Sequence, residues 1–230
     1  MKVIGLIGGM SWESSSEYYR IINRLISQKL GGLNSAECLL YSFNFAEIEK
    51  LMLSGDWEKI AKLVSEVAKR LEKGGADCIL ICTNTIHKLA EEIQGEISIP
   101  LIHIADATAE QVKLRGLKTV GLLGTRFTME EDFYSTRLER DFGINVIVPE
   151  KADRDIIDRV IFGELVLGEI KSESKAEYIR IMEELVIRGA QGIILGCTEI
   201  PLLIKQEDIN VPIFDTTQIH ATAAVEFALS

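Results

Sequence analysis

Positive charge is scarce in this chain: 25 lysines and arginines stand against 35 aspartates and glutamates, a formal net charge of −10. A face that tracks phosphates needs a basic excess, so a nucleic-acid partner is excluded. Long apolar runs are missing as well, and no stretch approaches the ~20 residues that cross a bilayer. Met1-Lys2 is followed by only five apolar residues before Gly8-Gly9, too few for a secretory segment. Cysteines are few: Cys38, Cys78, Cys82 and Cys197. Without a leader, that number points to a reducing compartment, and the cytoplasm is the expected location. Cys78-x-x-x-Cys82 is not a C-x-x-C pair and has no second ligand pair, so neither metal nor redox chemistry is expected there. G-x-G-x-x-G and Walker patterns are absent, which argues against a dinucleotide or ATP cofactor. What remains is 230 residues, 47 % hydrophobic and 7 % aromatic, sufficient for one large core or two smaller ones.

The pattern that is present alternates short apolar runs with amphipathic segments, the signature of βαβ units and parallel sheets. Strands are expected at residues 3–7, 37–43, 78–82 and 101–104, the last introduced by Pro100. A helix is expected from about Ser11 to Leu30, with Ser14 and Glu17 as a capping box and Gly31-Gly32 as its stop. Further helices fall at 47–53, 57–73 and 85–93, the charge-rich 57–73 segment presenting a solvated face. The cycle then restarts, with strands at 120–123, 145–148, 193–195 and 213–214 and helices at 129–142, 153–167 and 174–188.

The restart is an internal repeat. Val3-Ile4-Gly5-Leu6-Ile7-Gly8 matches Thr119-Val120-Gly121-Leu122-Leu123-Gly124 at an offset of 116 residues. Gly75-Ala76 and its strand match Gly189-Ala190 and its strand at 114, and Ile99-Pro100 matches Val211-Pro212 at 112. The middle landmark sets Thr83 opposite Cys197, each at the end of an equivalent strand. Ligands of open α/β sheets bind beyond the carboxyl ends of the strands. A hydroxyl and a thiol on two facing halves would therefore flank one cleft and suit removal of a proton from one face of a carbon and its return to the other.

Cys82-Thr83-Asn84-Thr85-Ile86-His87, Gly196-Cys197-Thr198-Glu199 and Ile7-Gly8-Gly9-Met10 resemble the motifs of the aspartate/glutamate racemases. The resemblance covers essentially the whole chain. It is strongest to the bacterial branch specific for aspartate and glutamate, given Gly8-Gly9-Met10-Ser11-Trp12-Glu13-Ser14 and Leu123-Gly124-Thr125-Arg126-Phe127-Thr128-Met129. It implies two pseudo-symmetric α/β domains, each a parallel four-stranded sheet flanked by helices, with the active site in the interdomain cleft. The final strand and helix would cross back, giving a first domain of 1–98 plus 208–230 and a second of 99–207. It implies an isomerase that needs no cofactor, neither pyridoxal phosphate nor metal, acts on a small acidic amino acid and is commonly a homodimer.

The usual first-half motif carries its cysteine directly before Asn-Thr, where this chain has Thr83; Cys82 lies one residue earlier. Successive strand residues face opposite ways, so Cys82 cannot substitute. Thr83 and Cys197 are therefore the expected catalytic pair. Cys197 directly precedes a predicted helix, whose N-terminus can lower a thiol pKa and make it a base. A threonine hydroxyl is far less acidic, so the reaction is expected to run more slowly from the D-enantiomer. By family analogy Cys197 acts on the L-enantiomer and Thr83 serves the D-face.

Asn84, Thr85 and Thr198 are expected to hold the α-carboxylate and amine. The loop at Met10 exposes N–H groups that can receive a carboxylate. Thr125 and Arg126 occupy the matching place in the second half, where Arg126 is a candidate for an anionic side chain as well as an ordinary surface ion-pair residue. Glu199 stands as a neighbour of Cys197 or as a helix cap. The cations with which aspartate-specific members grip the side-chain carboxylate have no counterpart at residues 45–50 or 165–167, leaving room for glutamate or a less polar substrate. His87 could polarise Thr85 or the substrate, or simply pack; His103 and His220 have no motif around them, and Cys38 reads as core. Related hydantoin racemases, maleate isomerases and arylmalonate decarboxylases, or a catalytically silent amino-acid-binding protein, are the rival readings.

Overall fold

The computed structural model describes residues 1–230. The chain divides into two compact units, Met1–Ile104 with His220–Ser230, and Ala105–Ile219.

In the first unit, β1 (Ile4–Gly8) leads to α1 (Trp12–Leu30), β2 (Cys38–Ser42), α2 (Phe45–Ser54), α3 (Trp57–Lys73) and β3 (Cys78–Ile81). A 3₁₀ turn, Thr85–Leu89, and α4 (Ala90–Gln94) follow. The sheet is parallel with order β2-β1-β3. Every residue of β1 and β3 is buried, as expected for parallel strands covered on both faces. Ile4, Leu6, Cys78 and Leu80 pack with Tyr18, Ile22 and Ile26 of α1 and with Ala221, Ala224, Val225 and Ala228 near the end of the chain.

The second unit opens with α5 (Ile104–Leu114), whose first residue still belongs to the first unit. It continues with β4 (Thr119–Gly124), α6 (Arg126–Glu130), α7 (Asp132–Phe142), β5 (Asn145–Ile147), α8 (Lys151–Gly163), α9 (Ser172–Ile187), β6 (Ile193–Gly196), α10 (Ile200–Leu203) and β7 (Ile213–Asp215). Its parallel sheet has order β5-β4-β6-β7. α11 (Thr216–Leu229) starts in this unit and ends in the first.

The two sheets repeat one plan, and a glycine reports it. Gly5 pairs with Ile79 and Gly121 with Ile193. A Cβ at Gly5 would lie 2.9 Å from the Ile79 Cδ1, and one at Gly121 would lie 2.7 Å from the Ile193 Cδ1. The same isoleucine fills the same gap in each unit.

Several expectations need correction. The first sheet has three strands and not four. Leu101 makes only an isolated bridge to Ile79, with the Ile79 N–H to the Pro100 carbonyl at 2.9 Å and the Ile102 N–H to the Ile79 carbonyl at 3.0 Å. Pro100 has no N–H to extend the ladder, and the chain turns into α5 at Ile104. The strand at 213–215 does not cross back: β7 pairs with β6, so the boundary set at 208 lies at 220, and that set at 98–99 lies at 104–105. The cap of α1 is Ser11, whose Oγ accepts from the Ser14 N–H at 3.3 Å; Ser14 is already inside the helix. Helix 129–142 is two helices, divided where Glu131 is extended, and α5 was not foreseen.

Candidate active site

The carboxyl end of β1 leads into Gly9, which has φ 84° and approaches the next strand so closely that a Cβ would lie 2.3 Å from the Phe43 N and O. Only glycine fits there. Its N–H donates to the Ser15 Oγ at 2.7 Å, and that hydroxyl donates to the Ser11 carbonyl at 2.8 Å. One of the loop N–H groups expected to greet a carboxylate is thus already committed. Met10 is buried beside this turn.

Beyond β3, Cys82 is fully buried in the core of the first unit, and burial holds its thiol well above the ordinary range. Thr83 next to it is half-buried. The chain tightens here: the Thr83 N–H donates to the Ile81 carbonyl at 2.8 Å, and the Thr83 carbonyl accepts from the His87 Nδ1, also at 2.8 Å. Asn84 and Thr85, both buried, lead into the 3₁₀ turn. Cys78 sits deeper in the strand with its thiol pushed up to about 12 by burial, and Cys38 is half-buried on β2 and also raised.

In the second unit, the strand end of β4 carries Thr125, whose Oγ1 caps α6 by accepting from the Thr128 N–H at 3.4 Å. Arg126 is exposed, and its main-chain N–H donates to the Asp158 carboxylate at 2.7 Å.

Cys197 follows β6 and is 6 % exposed. Its Sγ–H donates to the Glu199 Oε2 at 3.0 Å, and the Thr198 hydroxyl donates to the same oxygen at 2.8 Å. Glu199 is itself buried. Burial first, and the Glu199 charge second, push the Cys197 thiol well above its ordinary pKa, while the backbone N–H groups of Glu199 and Ile200 pull the other way. The expected depression of this pKa is therefore reversed. The helix behind it, α10, has only four residues, too little dipole to outweigh loss of solvent. The Thr216 hydroxyl donates to the Leu195 carbonyl at 2.8 Å and holds the strand two residues before the thiol. Neither Thr216 nor Ser15 was foreseen; the Ser-rich stretch after Trp12 was the one available signal.

Each unit thus brings its own set together, Met10 with Thr83, Asn84 and Thr85 in the first and Thr125 with Cys197, Thr198 and Glu199 in the second, all at carboxyl ends of parallel strands.

Comparison with solved structures gives the class first, a racemase fold. Over the full length of both chains, this one is 52 % identical to a candidate Asp/Glu racemase from Yersinia pestis (TM-score 0.94). It is 38 % identical to an aspartate racemase homologue from Pyrococcus horikoshii OT3 (TM-score 0.88), again over both full lengths. The chain belongs to the Asp/Glu/hydantoin racemase family, which it matches over residues 7–224. Among characterised relatives it is 26 % identical, across 99 % of each chain, to the broad specificity amino-acid racemase RacX of Bacillus subtilis (strain 168). It is an isomerase of the racemase kind. No helix is long and apolar enough to cross a membrane.

Proposed function

We propose that the enzyme interconverts L- and D-aspartate, glutamate or both, with Cys197 and Thr83 as the two proton carriers at the α-carbon. The observation that carries this reading is the Cys197 thiol aimed at the Glu199 carboxylate, 3.0 Å away. Burial keeps the thiol protonated at rest, and the carboxylate provides the place for its proton to go. Transfer to Glu199 yields a thiolate, which takes the α-proton: the Cα–H bond breaks, an S–H bond forms, and the electron pair spreads into the α-carboxylate. The Thr83 Oγ–H donates to the opposite face, where the pair closes a new C–H bond. Water restores the Thr83 proton and the resulting hydroxide is neutralised by the proton from Glu199, so the enzyme returns to its starting state. Asn84, Thr85 and Thr198 bind the α-carboxylate and amine in this reading, and no cofactor is called on.

Racemisation has an equilibrium constant of one, so kcat/KM is equal in the two directions. The weaker acidity of Thr83 therefore shows in kcat and KM separately, with the lower kcat from the D-enantiomer.

L-Asp and L-Glu, incubated separately in deuterium oxide, should gain α-deuterium and yield the D-isomer. Cys197→Ala should abolish both, and Glu199→Gln should slow both by roughly 10²–10⁴-fold, the usual weight of a general acid–base group. Unchanged exchange in Cys197→Ala overturns the assignment of the base. A second reading, a broader substrate range, is favoured by the lack of a cation at residues 45–50 that is not exposed and by the apolar run Leu165–Leu167, as well as by the name of the B. subtilis relative. A panel of neutral L-amino acids in the same assay separates the two.

A further inference from the structure

All three histidines of the chain, His87, His103 and His220, gather in the first unit. The His87 ring lies 4.7 Å from that of His103 and 5.5 Å from that of His220, centroid to centroid. His87 and His220 are 3 % and 0 % exposed. This is not a metal cage, because both nitrogens of His87 and both of His220 are committed to protein partners. The Tyr18 hydroxyl and the His220 Nδ1 are 2.8 Å apart, the His220 Nε2 and the Ile102 carbonyl 2.7 Å. The Ile104 N–H meets the His87 Nε2 at 3.3 Å, and the His87 Nδ1 meets the Thr83 carbonyl at 2.8 Å.

The partners settle the protons. A carbonyl only accepts, so the His220 Nε2 carries its hydrogen and its Nδ1 accepts from Tyr18. A backbone N–H only donates, so the His87 Nε2 accepts and its Nδ1–H donates to Thr83. Donors then run in one direction, from Tyr18 through His220 to the carbonyl of Ile102, and from the N–H of Ile104 through His87 to the carbonyl of Thr83. Loss of solvent, which lowers the His220 pKa to about 3, agrees with a neutral ring.

We propose that His87 is a positioning residue for Thr83, fixing the direction in which its hydroxyl meets the substrate. The inference rests on the racemase reading above. The Thr83 side chain hangs from a Cα between two peptide groups. One is held by its N–H on the Ile81 carbonyl, and the other by its carbonyl on the His87 Nδ1–H. With both planes held, the Cα–Cβ direction is set by the backbone, and only the χ1 rotation is left to the hydroxyl. His87 is in turn held from behind by the N–H of Ile104, and the carbonyl two residues before that is held by His220. A threonine asked to donate a proton has little acidity to spare, and misplacement of about 1 Å can cost about 10²-fold.

The test separates the two faces of the reaction. A proton taken by Cys197 exchanges with solvent through Glu199 and can return to the same face, so deuterium enters the L-substrate without inversion; D-isomer formation also needs Thr83. In His87→Gln the amide reaches the place of Nε2 and the donor to Thr83 is lost. In His87→Asn the amide nitrogen sits at the place of Nδ1 and that donor is kept. D-isomer formation should fall about 10²-fold in His87→Gln, while α-deuterium uptake into L-Asp or L-Glu falls less than about threefold. His87→Asn should keep the wild-type ratio of the two rates to within about threefold. A proportional loss of both rates in His87→Gln, or an equal effect of the two variants, overturns the proposal.

A measurement on the unaltered enzyme covers variants that do not fold. Two-bond ¹H–¹⁵N correlation of ¹⁵N-histidine protein should show His87 protonated on Nδ1 alone, and the Nε2–H tautomer overturns the proposal. If the unaltered enzyme neither exchanges nor racemises any amino acid, the racemase reading fails, and the tautomer still reports on the chain of hydrogen bonds by itself.

Discussion

A buried thiol is a poor base until something takes its proton, and in the reaction proposed above that acceptor is Glu199, two residues from Cys197. A buried imidazole presents the opposite case, for the hydrogen bonds of His220 are made by the neutral ring and loss of solvent outweighs the carbonyl that would favour a charge. Its pKa falls from the ordinary 6.5 to about 3, through loss of solvent above all, which outweighs the upward pull of the Ile102 carbonyl, with His103 adding a lesser downward push. The other titratable groups facing it are Tyr18 of α1 and the His87 ring. Because the folded pKa is depressed, the unfolded chain binds the extra proton between these two values. Stability from this group is complete above about 6.5 and is lost as pH falls toward 3, at about 1.4 kcal/mol per pH unit. Urea unfolding at pH 7 and pH 5 should therefore differ by about 2 kcal/mol more in the native chain than in His220→Gln, which cannot titrate. Equal pH dependence in the two would show that the ring is protonated or solvated in the folded state.

At the scale of elements, the repeated glycines offer the cleanest comparison. Gly5 and Gly121 face an isoleucine on the next strand with no space for a methyl group, so Gly5→Ala and Gly121→Ala should each cost about 1–3 kcal/mol by overpacking. Gly95 has φ −63°, and a methyl group added there would meet no neighbour nearer than 3.4 Å, so Gly95→Ala should be neutral or gain up to about 1 kcal/mol. Urea midpoints measure all three, and an equal response would mean that the strands can shift to accept the methyl groups. Those glycines were legible beforehand because Val3–Gly8 and Thr119–Gly124 align residue by residue. Buried strands read as unbroken apolar runs, so β1, β3, β4 and β6 were also plain. α5 was not: its buried positions include Ala105, Ala107 and Ala109, small residues that give little apolar contrast. The bridge at Leu101 looked like a strand because a proline-led apolar run does not reveal that the ladder ends after two hydrogen bonds. At the candidate site, the placement of Thr83 and Cys197 just beyond equivalent strand ends was legible from the repeat, while their catalytic roles belong to the proposal above. The direction of the Cys197 pKa was not legible, since it depends on burial and on where the Glu199 carboxylate points. The histidine chain was hidden for a related reason: its members are 133 residues apart, from His87 to His220, and share no local spacing.

The whole chain is built unevenly, the second unit from one continuous stretch and the first from 104 residues plus the last 11. Those last residues are not an appendage. Ala221, Ala224, Val225 and Ala228 lie in the core of the first unit, and the Ala228 carbonyl accepts from the Lys2 N–H at 3.0 Å. His220 is the acceptor for Tyr18 and the donor to Ile102. Removing residues 220–230 strips one side of that core and takes away the imidazole that accepts from the Tyr18 hydroxyl. Loss of that apolar face, together with a hydrogen bond worth about 0.5–1.5 kcal/mol, weighs against a typical domain margin of about 5–15 kcal/mol. The second unit keeps every strand of its sheet, together with the Thr216 hydroxyl on Leu195. Hydrogen exchange on the chain ending at Ile219 should therefore show the amides of β1 and β3 losing protection by at least about 10²-fold while those of β4 and β6 stay protected. Equal loss in both sheets would mean that the two units unfold as one, and unchanged protection in β1 and β3 would mean that the terminal helix contributes little to the core it lines.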